Sequence, residues 1–410
     1  MSTFCALSAA KGMFIIMRIV IAPDSFKGCL NALNVALAMS RGVQRVYPES
    51  VIDLIPMADG GEGTVEAILS AVRGEKIRIK VTDPLGRPIE ATYALIDNGK
   101  TAIIEMATAS GLTLLSHQER NPRVTSTQGT GMLIRNALDR GVRKILLGIG
   151  GSATNDGGAG LAVALGVKLL DGQGNELPQG GAALAKVVSI DMSGLDPRLA
   201  TVQIEVACDV QNTLCGPEGA SAVYGPQKGA NSEDIRVMDT ALQNFGEVLS
   251  KVAGMNLLEL AGGGAAGGLG AGVVGFLGAK LRPGSQMVLE VANADEKIKH
   301  ADLVLTGEGS TDFQTAYGKV PVGVSALAQK YSVPVLVISG SVEGSPDFLA
   351  DVGIASCLSV SEGPATLDDA FLNAEGQLER AVWRVLTVWK LAEESTLRKI
   401  SEGIIDRKSS

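Results

Sequence analysis

Residues 18–59 read RIVIAPDSFKGCLNALNVALAMSRGVQRVYPESVIDLIPMAD, and this stretch decides the fold class. It opens with a short apolar, β-branched run, RIVIAP at 18–23, which is typical of a buried strand. The alanine-rich run at 32–47 has helical periodicity, and a second apolar run follows at 50–59. Strand, helix and strand in this order predict a βαβ unit with parallel strands.

The same alternation of strand and helix recurs later in the chain. KILLGIGG at 144–151 is followed by AGLAVALG at 159–166. DLVLTGEG at 302–309 is followed by GVSALAQKYS at 323–332 and VPVLVISGS at 333–341. We therefore predict an α/β protein with parallel sheets and crossover helices.

The middle of the chain has a different pattern. Residues 77–106 alternate like strands, with turns at 84–86 and at Asn98-Gly99, which predicts an antiparallel meander. Because the parallel signals lie at both ends, we predict one domain built from residues 17–61 and 291–395, with a second α/β domain inserted at 62–290. We expect residues 1–16 to be an N-terminal extension before a native start at Met17, and 396–410 to be a fraying tail.

Composition excludes several classes of protein. The net charge of −8 argues against nucleic-acid binding, and two histidines leave little for multi-histidine metal sites or a histidine-based triad. Five scattered cysteines without a CxxC pair fit reduced thiols in a cytoplasmic protein. The sequence contains no run of about 18 consecutive apolar residues, so it predicts no membrane span. A signal peptide at the N-terminus is only weakly supported.

Glycine is the unusual component, with 51 residues in 410. The glycines cluster without a period, which excludes collagen and predicts loops that come close to a ligand or to another backbone. Two such loops lie near the start of the chain. Asp24, Ser25 and Lys27 follow the first strand, where open α/β sheets bind ligands, although Asp24 or Ser25 could simply cap the next helix.

The second loop, MADGGEGT at 57–64, places Asp59 and Glu62 around Gly60 and Gly61. Two carboxylates in a glycine turn suit magnesium or the role of proton acceptor, whereas a plain turn before a helix near Thr64 is the alternative.

The strongest phosphate-loop candidate is GIGGSATNDGGAG at 148–160. Successive backbone N–H groups between Gly150 and Asp156 could wrap a phosphate, and three side chains add donors. The same stretch also matches a dinucleotide fingerprint closed by Asp171, but poor helix formers after Ala153 argue against that interpretation. In the phosphate-loop interpretation, the three side chains that add donors are Ser152, Thr154 and Asn155.

Further acids, lysines and glycines follow other strands. Asp209 follows one strand, Lys228 lies in a glycine-proline turn, and the glycine-dense run 262–272 predicts close backbone packing or ligand approach. Lys228 considered alone would be a surface charge. Glu308, Asp312 and Lys319 belong to the segment 305–319 after a late strand.

Glycine loops with isolated acids and lysines suit phosphoryl transfer, because that chemistry depends on positioning and charge neutralisation. Neither the P-loop pattern nor a protein-kinase signature is present in the sequence.

Taken together, the loops resemble those of the bacterial glycerate kinases that form 2-phosphoglycerate. The resemblance runs from about residue 17 to about 395 and rests on APDSFKG, ADGGEGT, EMATASGL, TSTQGTG, GIGGSATNDGGAG, ACDVQNTLCGP, YGPQKGA, GGGAAGGLGAG and TGEG with its following Asp and Gly-Lys. It implies a cytoplasmic enzyme that phosphorylates D-glycerate with ATP and magnesium. It also implies a flavodoxin-like domain, an inserted α/β domain and an active site in the cleft between them. Ser310 departs from the arginine that many relatives have there.

The resemblance and the loop chemistry together suggest roles for individual residues. Asp209 or Asp59 would accept the hydroxyl proton, and Lys27 and Lys228 would neutralise phosphoryl charge. Magnesium would be held by Glu62, Glu308 and Asp312. Substrate and phosphate would be bound by Asp24, Ser25, Gly60, Gly61, Gly150, Gly151, Ser152, Thr154, Asn155, Asp156, Gly267, Gly268 and Lys319.

Two other functions remain open from the sequence. One is an NAD(P)-dependent dehydrogenase that uses the Gly148–Asp171 unit, and the other is a non-catalytic sugar-acid sensor. We expect a small-molecule substrate, no nucleic-acid or membrane partner, and a monomer or homodimer.

Overall fold

A computed structural model describes residues 16–312, 315, 319–343 and 346–408, so all but the last residue of the predicted extension at 1–16 lies outside the described residues. The strands are β1 (Arg18–Ile21), β2 (Val51–Leu54), β3 (Gly74–Thr82), β4 (Pro88–Ile96), β5 (Thr101–Glu105), β6 (Lys144–Gly148), β7 (Lys168–Leu170), β8 (Ser189–Asp191), β9 (Gln203–Ala207), β10 (Lys280–Arg282), β11 (Leu303–Thr306), β12 (Ser310–Thr311), β13 (Val335–Ser339), β14 (Ser341–Val342) and β15 (Ser356–Ser359). The α-helices are α1 (Ala32–Gln44), α2 (Thr64–Ala71), α3 (Ala107–Ser110), α4 (Gln128–Asp139), α5 (Ala159–Ala164), α6 (Ala220–Tyr224), α7 (Ser232–Ala253), α8 (Ala265–Leu277), α9 (Gly284–Val291), α10 (Ala294–Lys299), α11 (Val320–Gln329), α12 (Leu367–Leu372) and α13 (Ala374–Lys408).

The chain divides into two compact units. Both ends of the chain form one of them, Met1–Met57 with Ala292–Ser410, which we call the terminal unit. Residues Ala58–Val291 form the other, the central unit.

The terminal unit contains a parallel five-stranded sheet in the order β15-β13-β11-β1-β2. Ile19 pairs with Leu303 of β11 on one side and with Ile52 of β2 on the other, so β1 and β11 are central neighbours. Helices α1 and α13 pack on each other and on this sheet, where they bury Val35, Met39 and Leu386. After β1 the chain adds β2 toward one edge of the sheet, and after β11 it adds β13 and β15 toward the opposite edge, so the strand order reverses between β1 and β11. Ligands of doubly wound sheets bind at the carboxyl ends of strands at such a reversal.

The central unit contains a six-stranded sheet in the order β10-β9-β6-β5-β4-β3. Strands β3, β4 and β5 are antiparallel, as predicted for the meander, whereas β5, β6, β9 and β10 run parallel. The carboxyl ends of these four parallel strands therefore lie along one edge of the sheet. The largest core cluster includes Tyr93, Ile104 and Leu147 from this sheet.

These observations confirm the predicted α/β class with parallel sheets. The C-terminal helix α13 spans Ala374–Lys408 and includes most of the segment 396–410 that we expect to be a tail. Trp389 packs against the core of the terminal unit, but Trp383 is 36% exposed and lies under the Arg45 guanidinium, 4.5 Å from the ring centroid.

In the described part of the chain, no helix is both long enough and apolar enough to cross a bilayer.

The contact between α1 and α13 predicts opposite effects for one substitution at two helical glycines. A Cβ at Gly42 would lie 2.5 Å from the Glu379 carbonyl oxygen and 2.7 Å from Val382 Cβ, whereas at Gly376 the nearest atom, at 3.0 Å, is the flexible end of Arg380. We expect Gly42→Ala to lower the free energy of unfolding by about 1–3 kcal/mol through overpacking. Gly376→Ala should leave it unchanged or raise it by up to about 1 kcal/mol, because alanine favours helix.

Urea unfolding followed by circular dichroism measures both variants of this pair. Equal effects of the two substitutions would contradict the close approach of α1 to α13 at Gly42.

Candidate functional site

Loops from distant parts of the central unit meet at the carboxyl edge of its sheet. A Cβ on Gly60 would lie 2.1 Å from Ala207 Cβ at the end of β9, and a Cβ on Gly148 would lie 2.3 Å from the Gly60 carbonyl oxygen. The Gly150 N–H donates to the same carbonyl at 3.3 Å. The segment around Gly60 and Gly61 therefore packs directly on the ends of β6 and β9, as the glycine loops lead us to expect.

Asp59 and Asp209 lie on two sides of Gly284, the first residue of α9. The Gly284 N–H donates to Asp209 Oδ1 at 3.0 Å, and a Cβ on Gly284 would lie 2.2 Å from the Asp59 carbonyl oxygen. Asp59 Oδ1 also accepts from the Gly61 N–H at 3.0 Å, so Asp59 closes its own turn. Asp209 is exposed and Asp59 is half-buried. The structure thus places the backbone of Asp59 and the carboxylate of Asp209 at the same residue, Gly284.

Only the first part of the predicted phosphate loop reaches the surface. Gly151 is exposed and Ser152 is 7% exposed, whereas Thr154, Asn155 and Asp156 are each 0% exposed. The last three residues form the buried base of the loop, so the part that can contact a ligand in this conformation is the Gly150–Ser152 turn.

The Asp156 carboxylate anchors the base of the loop. It accepts from the Thr127 N–H at 2.8 Å and the Thr127 hydroxyl at 2.9 Å, and from the N–H groups of Gly158 and Gly160 at 3.2 Å. Burial raises the pKa of Asp156 above its usual range, and the hydrogen bonds from Thr127 and the two glycines partly oppose that shift. This carboxylate therefore joins the loop to the starts of α4 and α5.

The glycine-dense run 262–272 supports the same loop from another side. A Cβ on Gly267 would lie 2.0 Å from the Thr154 carbonyl oxygen, and one on Gly268 would lie 3.0 Å from Gly157 Cα. The Gly157 N–H donates to the Gly267 carbonyl at 3.0 Å. Close packing of two backbones accounts for glycine at both of these positions.

Lys228 is 1% exposed, so the surface-charge interpretation is wrong. Its Nζ donates to Ser152 Oγ at 2.8 Å and to the Thr154 carbonyl oxygen at 2.7 Å. Burial lowers the pKa of Lys228 to about 7, and the nearby Asp156 carboxylate partly opposes that shift. The lysine ammonium therefore lies beneath the loop and forms hydrogen bonds to both Ser152 and Thr154.

Local geometry fixes Lys228 in this place. Residues Pro226–Lys228 form a 3₁₀ turn that begins with proline and ends at Gly229, whose φ is +93°. Asn155 Nδ2 donates to Ser221 Oγ of α6 at 3.0 Å, so the segment before the turn also holds the loop. Sequence analysis quotes Thr127 only within TSTQGTG and gives it no role, and it does not single out Ser221 or Gly284, because the contacts of all three with the site are made between residues distant in the chain.

The terminal unit contains a second set of predicted residues at the β1–β11 reversal. The Asp24 N–H donates to the Gly307 carbonyl at 2.8 Å, which joins the loops after the two strands. Asp24 Oδ1 accepts from the Ser25 N–H at 2.7 Å, and Lys27 is exposed. The N-cap of α1 is Asn31, so the alternative that Asp24 or Ser25 caps this helix is wrong.

Glu308 follows β11 and is 6% exposed. Its Oε1 accepts from the hydroxyls of Thr315 at 2.6 Å and Thr311 at 3.2 Å. Lys319 Nζ lies 3.5 Å from Glu308 Oε2 and 3.4 Å from Asp312 Oδ1. Burial raises the pKa of Glu308, opposed by its bonds to Thr315 and by Lys319.

The predicted magnesium ligands do not fit a metal site in this arrangement. An ammonium group already lies between the carboxylates of Glu308 and Asp312. Glu62 is exposed in the loop before α2. Within the described residues, no three histidine, cysteine or acidic side chains gather in a way that could hold a metal.

The dinucleotide alternative is not supported by the loop geometry. A dinucleotide site needs a helix directly after Ala153, but α5 begins only at Ala159. Asp171 is partly exposed and closes a turn by accepting from the N–H groups of Gln173 at 2.8 Å and Asn175 at 2.9 Å.

The parallel sheets and the glycine-lined loop edge define an α/β protein with a candidate anion site. Residues 19–390 match the model of the glycerate kinase family. The chain belongs to this family, which confirms the resemblance of its loops.

Known relatives are similar over nearly the whole chain. A glycerate kinase of Halalkalibacterium halodurans is 49% identical over 90% of this chain and 97% of its own length. A glycerate 2-kinase of Escherichia coli is 47% identical over 89% of this chain and 96% of its own length. A crystal structure assigned to glycerate kinase 2 of Salmonella typhimurium LT2 has a TM-score of 0.84 at 47% identity, and covers 93% of this chain and 100% of that one.

The anchor at the base of the loop predicts a large loss of stability in Asp156→Ala. Removing the carboxylate leaves the buried donors of Thr127, Gly158 and Gly160 without an acceptor, so we expect a loss of about 3 kcal/mol or more in the free energy of unfolding. Asp171→Ala is the matched control, because that carboxylate also accepts from backbone N–H groups but is partly exposed. Water replaces its bonds, and the loss should stay below about 1 kcal/mol.

Urea titration of both aspartate variants tests this difference. Similar losses in the two would show that Asp156 is not the anchor of the loop.

Proposed function

We propose that the protein catalyses ATP-dependent phosphorylation of D-glycerate at its 2-hydroxyl, giving 2-phosphoglycerate and ADP in the cytoplasm. The observation that carries this proposal is the buried Lys228 ammonium beneath the exposed Gly150–Ser152 turn, in a chain of the glycerate kinase family. The relative named glycerate 2-kinase supports the choice of the 2-hydroxyl.

The Gly150–Ser152 turn is proposed to bind an anionic group of the substrates. Backbone N–H groups in a glycine turn make concave anion sites, and a positive charge behind the turn adds to their potential. Lys228 supplies that charge from a buried position, where electrostatic effects are stronger than in water.

Asp209 is proposed as the proton acceptor. It is exposed just beyond the carboxyl end of β9, whereas Asp59 is half-buried; each carboxylate accepts a backbone N–H at 3.0 Å, so exposure is the difference between them. The glycerate 2-hydroxyl would attack the γ-phosphorus in line and give its proton to the Asp209 carboxylate as the bond to the ADP oxygen breaks.

The terminal unit is proposed to supply Lys27, Asp24 and Ser25 to the same reaction. Magnesium bound to the nucleotide would neutralise charge on its phosphoryl oxygens, but no step is assigned to the metal at Glu308 and Asp312 because Lys319 lies between them. The cleft between the two domains, which the resemblance implies, stays a prediction, as do the roles of Gly60, Gly61, Gly267 and Gly268 toward substrate.

A coupled assay of the purified full chain tests the proposed function. ATP-dependent ADP release that requires D-glycerate supports it, and phosphorus NMR of the product separates the 2-phosphate from the 3-phosphate. Absorbance change with NAD(P)H and glycerate would instead indicate a dehydrogenase. Thermal stabilisation by D-glycerate without turnover would indicate a sensor.

The choice of Asp209 predicts unequal effects in two conservative variants. Asp209→Asn should lower kcat by about 10²–10⁴-fold, because a positioned proton acceptor is typically worth that much. Asp59→Asn should have a smaller effect, since an amide oxygen can still accept from the Gly61 N–H. Asp191→Asn, at the end of β8, is the control for a partly buried aspartate outside this edge.

Steady-state kinetics with saturating ATP and D-glycerate compares the three variants. Near-normal turnover of Asp209→Asn would remove Asp209 from the role, and a larger loss in Asp59→Asn would transfer the role to Asp59.

A further inference from the structure

The hydrogen bond between Lys228 and Ser152 has a fixed direction. A protonated lysine carries three donors and no acceptor, so Ser152 Oγ accepts the bond at 2.8 Å. A serine hydroxyl has one proton. Because its oxygen faces the ammonium, that proton points away from Lys228 and is left for an acceptor on another side.

Ser152 lies at the place where such an acceptor can arrive. It is 7% exposed, whereas the next residue, Ala153, is 1% exposed, and it follows the exposed Gly151. Its neighbours are fixed to the segment after α3. The Leu112 N–H donates to the Gly151 carbonyl at 2.9 Å, and the Ala153 N–H donates to the Ser110 carbonyl at 2.9 Å. The backbone on both sides of Ser152 is therefore held, and the bond from Lys228 holds the position of its Oγ.

The ammonium is fixed as firmly as the serine. Its second bond goes to the Thr154 carbonyl at 2.7 Å. A Cβ on Gly229 would lie 2.4 Å from the Arg120 carbonyl oxygen, which shows how tightly the turn after Lys228 is packed. A fixed ammonium on the serine oxygen restricts the hydroxyl proton to directions away from Lys228, and a charged donor on that oxygen makes the proton a stronger donor.

We propose that the Ser152 hydroxyl donates a hydrogen bond to an anionic oxygen of the substrates, and that Lys228 is the positioning residue that orients and polarises it. Lys228 itself does not touch the substrate. The anionic oxygen belongs either to the carboxylate of the hydroxy acid or to a phosphoryl group of the nucleotide. This inference rests on the proposed function and adds a role for each residue of the pair.

The pair predicts a pH dependence with a definite sign. A protonated Lys228 can only donate, so the Ser152 oxygen must accept the hydrogen bond between them. A neutral Lys228 amine can accept instead, and the serine hydroxyl proton would then point toward the lysine and away from the substrate. The kcat/KM should therefore fall as the pH rises through the pKa of Lys228, which burial lowers to about 7. Among the described residues, the charged group that faces Lys228 is Asp156, whose carboxylate is held by Thr127 and two glycine N–H groups.

A double-mutant cycle with Lys228→Met and Ser152→Ala tests the proposal. Each single variant should lose about 10- to 100-fold in kcat/KM, and the double variant should lose no more than about twofold beyond the larger single loss, because both remove one donor. A rise in KM for D-glycerate assigns the oxygen to the carboxylate, and a rise in KM for ATP assigns it to the phosphoryl group. Lys251→Met, at an exposed lysine of α7, is the control and should match the unaltered protein.

Three outcomes would overturn the pairing. These are multiplied losses in the double variant, unchanged kinetics in Ser152→Ala, or a pH fall in Ser152→Ala as steep as in the unaltered protein. The pH arm uses Ser152→Ala alone, so it remains decisive where Lys228→Met does not fold by circular dichroism. Absence of turnover in the unaltered protein would instead count against the proposed function, which separates the two failures.

Discussion

A lysine ammonium inside a protein needs acceptors, and the central unit is built around this requirement. Lys228 meets it with the Ser152 hydroxyl and the Thr154 carbonyl, and these two partners bend the loop after β6 over the charge. The Asp156 carboxylate, whose charge acts on Lys228, forms no ion pair with it among the described residues and satisfies its oxygens with Thr127, Gly158 and Gly160. The positive charge is therefore stabilised by dipoles and not cancelled by direct pairing, so it can still act on an anion at the exposed side of the turn.

The glycine content follows from the packing of backbone against backbone around that loop. The carbonyls of Gly60 and Thr154 lie where side chains of Gly148 and Gly267 would begin, at 2.3 and 2.0 Å from an ideal Cβ. Side chains at these positions would separate the segments and expose the base of the loop. Many glycines near the candidate sites are therefore required by backbone packing. The part of the phosphate loop that can contact a ligand is the short Gly150–Ser152 turn.

The sequence predicts the strands, the crossover helices and the loops at strand ends, because these follow from local periodicity and turn chemistry. It does not predict that Asp59 and Asp209 both lie near Gly284, because Asp59 follows β2 of the five-stranded sheet and Asp209 follows β9 of the six-stranded sheet. It does not predict the burial of Lys228, which depends on contacts with residues 74 and 76 positions earlier in the chain. A lysine in a glycine-proline turn looks the same whether the turn faces solvent or the interior. For the same reason the anchor at Asp156, which depends on Thr127 located 29 positions earlier, becomes visible only with the structure.

The two units differ in how their lysines are compensated, and this difference decides which of them is assigned the anion. In the terminal unit, Lys319 lies within 3.5 Å of Glu308 and 3.4 Å of Asp312, so two carboxylates outweigh one ammonium in that cluster. Such a cluster has a net negative charge, which repels a phosphate or a carboxylate. In the central unit, neutral oxygens contact the ammonium, and the opposing carboxylate is held by hydrogen bonds on the buried side. The exposed turn above Lys228 therefore has the more positive potential, which favours it as the site of the proposed anion.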